Sequence, residues 1–229
     1  MSNTALIAGA SRGLGLGLAS ELASRGWRVV ATARKPAEAT ALQALAAASK
    51  GQVSVEAIDI VRDADIEALA GRLSGKLDVL FVNAGISGPA GKTVLNASRD
   101  DVADVLWTNA IAPIRVATRL LPQVVDGGTV AFMSSVMGSI GENTFGGHDL
   151  YRMSKGALNV LARNFQLAIP PERRIAVLSL HPGWVRTDMG GAGAPLGIEE
   201  SVRGLANVLE SKHAPSHRYL DYTGREMAW

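Results

Sequence analysis

The sequence predicts a doubly wound α/β fold, a seven-stranded parallel sheet with helices on both faces. Three observations predict it. Short apolar runs of strand length alternate with longer stretches of helical periodicity along all 229 residues. Most of these runs are continuously apolar, as expected of parallel strands covered on both faces. A glycine-rich turn, Gly9-Ala10-Ser11-Arg12-Gly13-Leu14-Gly15, joins the first run to the first helical stretch, where folds of this class bind phosphate groups.

The elements follow in order. Strands are expected over 4–9, 28–33, 53–58, 79–83, 128–134, 174–181 and 218–221. Helices are expected between them, over 13–25, 37–49, 63–74, 99–124, 151–168 and 198–211. Pro36 suits a first helical turn, whereas Pro113 should kink or divide the 99–124 stretch. Asp100, Asp101 and Asp104 suit a solvated first turn, where acids favour the helix dipole. Two Gly-rich loops, 138–149 and 190–197, follow strands on the side where open α/β sheets bind ligands. Both are candidate walls of a site. The unbroken alternation, with no repeat and no linker, predicts one domain over 1–229.

Composition narrows the function. Apolar residues make up 47% and charged residues 19%, which suits a soluble chain with a sizeable core. A formal charge of +2, with no cation run longer than Arg173-Arg174, argues against nucleic acid and anionic membranes as partners. The lack of cysteine excludes disulfides, thiolate catalysis and cysteine–metal sites. Met1-Ser2-Asn3-Thr4 leads straight into a strand without a signal-peptide pattern, and no apolar stretch is long enough for a membrane span. A cytoplasmic location is expected. His213 and His217 have a metal-pair spacing, but Pro215 interrupts them and no third ligand is evident, so no metal is expected.

The glycine turn has the spacing G-x-x-x-G-x-G. A helix N-terminus offers unpaired N–H groups and a positive dipole end, so a pyrophosphate fits there if no side chain intervenes. The second strand ends Ala31-Thr32-Ala33-Arg34-Lys35. An acidic residue at this point would accept a ribose 2′-hydroxyl, as in NAD-binding Rossmann folds. Here Arg34 and Lys35 follow Ala33, and Arg12 lies in the glycine turn, so a 2′-phosphate and hence NADP(H) over NAD(H) is expected.

Tyr151-Arg152-Met153-Ser154-Lys155 opens a predicted helix, with Tyr151 and Lys155 at i and i+4 on one face. A free phenol has a pKa of about 10, and a nearby ammonium should lower it toward the working range. Together these motifs resemble the short-chain dehydrogenase/reductase superfamily, over essentially the whole chain. Gly9, Gly13 and Gly15 match its glycine motif, and Asp59 its adenine-contacting acid. Asn83-Ala84-Gly85 matches its N-A-G motif, with Val82 where the family has a first Asn. Asn109, Ser134-Ser135, His181-Pro182-Gly183 and Thr187 match its helix asparagine, strand-end serines, P-G motif and carboxamide-binding threonine. Ser11, Arg12, Leu14, Arg34, Ile60 and Val185 complete the cofactor set that the resemblance implies. Residues around Gly138, Tyr151 and Pro182, and the closing Asp221-Tyr222-Thr223-Gly224…Trp229, look like the sniffer and C-factor group of carbonyl reductases.

The resemblance implies hydride transfer between a nicotinamide and a carbonyl carbon, with Tyr151 exchanging the proton and Ser135 bonding the same oxygen. Lys155 would tune the tyrosine and hold the nicotinamide ribose, and Asn109 would support a water-linked proton relay to the lysine. The Ser135–Tyr151 gap is longer than in many members, and residues 141–149 take up the surplus. In another register Ser134 or Ser139 would supply the hydroxyl. The implied partner is a small aldehyde, ketone or alcohol. A homodimer or homotetramer is expected, paired through the helices at 99–124 and 151–168. Two alternatives stand. One is a dinucleotide-binding regulatory protein with vestigial catalysis, because the C-factor group includes a developmental signalling protein. The other is a sugar-nucleotide epimerase or dehydratase, although residues 184–229 are a small substrate region for it.

Overall fold

Continuous apolar runs can bury both faces only if helices cover both, and the chain does this with seven strands. In the computed structural model, which describes residues 2–229, these are β1 (Thr4–Ala8), β2 (Arg28–Ala33), β3 (Val53–Ala57), β4 (Leu77–Val82), β5 (Val124–Met133), β6 (Ala176–His181) and β7 (His217–Asp221). All pair in parallel, in the order β3-β2-β1-β4-β5-β6-β7. The winding reverses between β1 and β4, and the region beyond their C-terminal ends is the position at which such sheets bind ligands.

Helices α1 (Gly13–Ser24), α2 (Thr40–Ala48) and α7 (Ile198–Glu210) cover one face, through Leu18, Leu22, Leu42, Leu205 and Leu209. On the other face lie α3 (Asp63–Arg72), α5 (Ala112–Leu120) and α6 (Asp149–Ala168), through Leu69, Val116, Leu120, Leu158 and Phe165. Phe132 of β5 meets Phe165 edge-on, with ring centroids 6.0 Å apart. Full burial of a Leu or Phe side chain is worth roughly 2 kcal/mol, so these two layers hold the sheet between them.

Three expected boundaries are corrected. The 99–124 stretch divides into α4 (Arg99–Leu106), a wide π-type turn (Trp107–Ile111) and α5. Pro113 enters at the start of α5, where its missing N–H costs least, and the wide turn absorbs the break. β5 begins at Val124 rather than 128, because Val124 pairs with Leu77 before a register shift to Val79–Thr129. Gly127, at φ +79°, turns the chain inside that shift. α6 begins two residues before Tyr151, at Asp149. The acids at the start of α4 do more than solvate it: Ser98 and Asp101 form a reciprocal capping box.

Candidate active site and cofactor cleft

The glycine turn is dictated by close packing. Gly9 has φ +95°, and a Cβ there would sit 2.8 Å from that of Ala84. At Gly15 a Cβ would lie 2.1 Å from the Gly9 carbonyl oxygen, which already accepts from Asn83 Nδ2 at 2.6 Å. Around Gly13 there is space, with only a Thr187 methyl at 3.9 Å, so its φ of +56° is what favours glycine. No side chain caps α1 and no acid occupies its first turn, so its terminal N–H groups face the cleft without a built-in acceptor.

Beside this turn lies a cleft of about 590 Å³ whose lining includes Ser11, Arg34, Lys35, Asp59, Arg62 and Asp65. Ile60, next to Asp59, is buried. Lys35 is paired with Glu38 at 2.9 Å and Arg62 with Asp65 at 3.8 Å. Arg12, in the glycine turn, forms an ion pair with Asp188, from the segment beyond β6. Arg34 has no ion-pair partner among the described residues.

The other end of the site is buried. Ser135 follows β5 in extended conformation, and its hydroxyl accepts from Met137 N at 3.2 Å. Tyr151 and Lys155 lie in the first two turns of α6, with Lys155 Nζ 5.5 Å from the Tyr151 ring centroid. Lys155 is 2% exposed and donates to the Met133 carbonyl at 2.8 Å. Asn109, fully buried in the π-type turn, accepts from Ile86 N at 2.8 Å and donates to Ile86 O at 2.7 Å and to Ser154 Oγ at 3.0 Å. Both converge on Gly85, where a Cβ would lie 3.0 Å from Asn109 Oδ1 and 3.5 Å from Lys155 Nζ.

The alternative hydroxyls are engaged elsewhere. Ser134 donates to Asn159 at 2.8 Å and Ser139 to the Ala228 carbonyl at 2.7 Å, which leaves Ser135 as the serine beside Tyr151. The tyrosine pKa runs opposite to expectation. Burial pushes Tyr151 up to about 12, only partly offset by the Ser135 hydroxyl. Burial also pulls Lys155 down to about 8. Desolvation of the phenolate therefore sets the direction, and the Lys155 ammonium is turned toward the Met133 carbonyl.

With this geometry in place, the likeness to known proteins is specific. The short chain dehydrogenase family matches residues 3–194. The chain belongs to that family. It is 42% identical to C-signal of Myxococcus xanthus over 160 residues, 68% of this chain and 95% of the relative. A carbonyl reductase from Pseudomonas aeruginosa, solved in complex with NADP, is 40% identical with a TM-score of 0.92, covering all of both chains. Carbonyl reductase Sniffer of D. melanogaster is 32% identical with a TM-score of 0.91, again over both chains entire. The seven-stranded Rossmann-like sheet expected from the sequence is the fold of these relatives.

Beyond β6, the family's P-G motif stands at Pro182-Gly183, with Gly183 at φ +84° and Ser201 donating to Pro182 O at 2.6 Å. Val185 is buried and bridges to Leu196. The Thr187 hydroxyl accepts from Gly190 N at 3.0 Å and so folds its own loop. Arg186 and Trp184 tie that loop further, to Pro195 O at 2.6 Å and Gly190 O at 2.9 Å. The 141–149 loop is pinned to α6, because Arg152 donates to Gly147 O at 2.8 Å and stacks 4.8 Å from the Phe145 ring centroid. His213 bonds to Val208 O at 2.7 Å, while His217 sits buried against Ser179 at 2.9 Å. Sequence reasoning missed Ser154, Asn159 and Asp188. Ser154 and Asn159 lie at i+3 and i+8 from Tyr151 on α6 and could have been found by helical spacing; Asp188 becomes a partner of Arg12 only through folding.

Proposed function

We propose that the protein is an NADP(H)-dependent reductase of aldehydes or ketones, built as one dinucleotide-binding domain. The observation that carries this reading is the convergence of Ser135, Tyr151 and Lys155 at the C-terminal end of β5, one crevice away from an uncapped helix N-terminus. The residues present fit the cofactor. The α1 N-terminus and residues 9–15 suit the pyrophosphate, Arg34 a 2′-phosphate, and Asp59 and Ile60 the adenine. Asn83, Ala84 and Gly85, with Pro182, Gly183, Val185 and Thr187, flank the nicotinamide end.

When bound, the reduced nicotinamide supplies a hydride to the carbonyl carbon. Tyr151 gives its phenolic proton to the carbonyl oxygen, and the Ser135 hydroxyl donates a hydrogen bond to that oxygen, so the products are an alcohol and the oxidised cofactor. A phenol held at about 12 is protonated at neutral pH, as a proton donor must be. Lys155 would hold the ribose hydroxyls and its ammonium would return a proton to Tyr151, while a water-linked relay beside Asn109 would resupply Lys155 from solvent.

The exposed Trp107, Val160 and Leu167 lie on the helical segments expected to pair, which supports a homodimer or homotetramer formed through them. Kinship with C-signal supports a second reading, a dinucleotide-binding signalling protein. The test is loss of NADPH absorbance with a panel of aldehydes, ketones, quinones and diketones. Turnover favouring NADPH over NADH by about tenfold is expected, the worth of one charge-assisted phosphate contact. Preference for NADH would overturn the cofactor assignment. Dinucleotide binding with no turnover across the panel would favour the signalling reading.

A further inference from the structure

Tyr219 is a buried phenol that the proposed chemistry does not use. It sits on β7, two strands from β5, at 2% exposure. Register places it beside Ser179 of β6, which in turn lies beside Phe132 of β5, three residues before Ser135. From there its hydroxyl donates to the Ser135 carbonyl oxygen. That oxygen also accepts from Gly138 N at 2.8 Å, so both of its lone pairs are committed. Ser134 and Asn159 of α6 lie beside the same phenol, and Ser134 is tied to Asn159 at 2.8 Å. The peptide that carries the Ser135 hydroxyl is thus held between α6 and β7.

Tyr219 is itself held. The Trp229 ring lies 5.3 Å from the Tyr219 ring and 4.8 Å from that of His217. Trp229 O accepts from Gly141 N at 3.0 Å, and Ala228 O accepts from Ser139 Oγ at 2.7 Å. A Cβ on Gly141 would come within 2.9 Å of Ala228 Cβ, so the two segments are in close contact. Residues 228–229 therefore join β7 to the segment that leaves Ser135.

We propose that Tyr219 is a positioning residue, acting on the reaction through the Ser135 main chain, with Trp229 as its brace. The inference rests on the reading of Ser135 as the hydroxyl that bonds the substrate oxygen. Displacing a reacting group by about an ångström costs up to about a hundredfold in rate, and losing one of two tethers should cost less. Tyr219→Phe removes the hydroxyl and keeps the ring. We expect kcat to fall about tenfold, with the Kd for NADPH and the Tm close to wild type.

A double-mutant cycle separates positioning from general structure. Ser135→Ala should lower kcat about a hundredfold, and Tyr219→Phe added to it should lower kcat no further. Trp229→Ala should show a smaller loss that Ser135→Ala absorbs in the same way, and it carries the cycle if Tyr219→Phe does not fold. An unchanged kcat in Tyr219→Phe, or an undiminished loss in the Ser135→Ala background, would overturn the assignment while leaving the Ser135 reading intact. Full activity in Ser135→Ala would overturn both.

Discussion

At the β1–β3 end of the site the charged side chains are exposed: Arg12 and Asp188 are 75% and 78% accessible, Lys35 and Glu38 72% and 68%. At the β5–β7 end Ser135, Lys155, Asn109 and Asn159 are buried and bonded to main chain or to one another. Exposed pairs are screened by salt and contribute little each. A buried polar group that loses its partner keeps its full desolvation penalty, about 1–3 kcal/mol. The first end can change its affinities with little effect on the fold. The second is coupled to the fold, so on the proposed function its geometry is what should set the rate.

The sharpest break of this contrast is Tyr151→Phe. The ring remains, so the packing around Lys155 should survive, and only the proton donor is lost. Turnover should fall about a thousandfold, within the usual range for a general acid, with NADPH affinity nearly unchanged. Steady-state rates and a fluorescence titration of NADPH check both halves. Wild-type turnover would remove Tyr151 from the reaction.

Acid should act through the buried end. Burial pulls both His181 and His217 down to about 4, with Arg225 and Arg163 respectively adding to the shift and Asp221 opposing it at His181. Both have a buried Nδ1 without a hydrogen-bond partner among the described residues. Below their unfolded pKa of about 6.5 the unfolded chain binds more protons, so stability falls as pH drops from 6.5 toward 4. At pH 5 each histidine should cost roughly 2 kcal/mol, or several degrees of Tm. His217→Gln should flatten the Tm–pH slope in that window. An unchanged slope would assign the acid loss to other groups.

The sequence carried most of the fold because parallel strands declare themselves as apolar runs, and the glycine turn because Gly9 and Gly15, packed against Ala84 and Asn83, leave room for nothing larger. Helical spacing puts Tyr151 and Lys155 on one face, and only the accompanying motifs single that pair out. Three things were not legible. The direction of the Tyr151 shift depends on how much water is excluded, which the i, i+4 pairing does not encode. The π-type turn that carries Asn109 reads as continuous helix apart from Pro113. The bond from Tyr219 to Ser135 spans 84 positions and exists only because β7 docks beside β6.

The smallest effect belongs to the exposed end, and it discriminates between two cations that the sequence treats alike. Arg12 and Arg34 are both expected near a 2′-phosphate, but Arg12 is paired with Asp188 and Arg34 is not. A phosphate reaching Arg12 must displace a carboxylate, so the net gain there is the difference of two ion pairs. At Arg34 the gain is undivided. Arg34→Ala should therefore raise the KM for NADPH several-fold, by up to about tenfold at low salt, and leave both kcat and the KM for NADH unchanged. Arg12→Ala should raise it less, and Asp188→Asn should lower it slightly by releasing Arg12. Because these charges are exposed, the Arg34 effect should shrink as ionic strength rises. Equal effects of Arg12→Ala and Arg34→Ala at every salt concentration would mean that the Arg12–Asp188 pair does not compete with the cofactor.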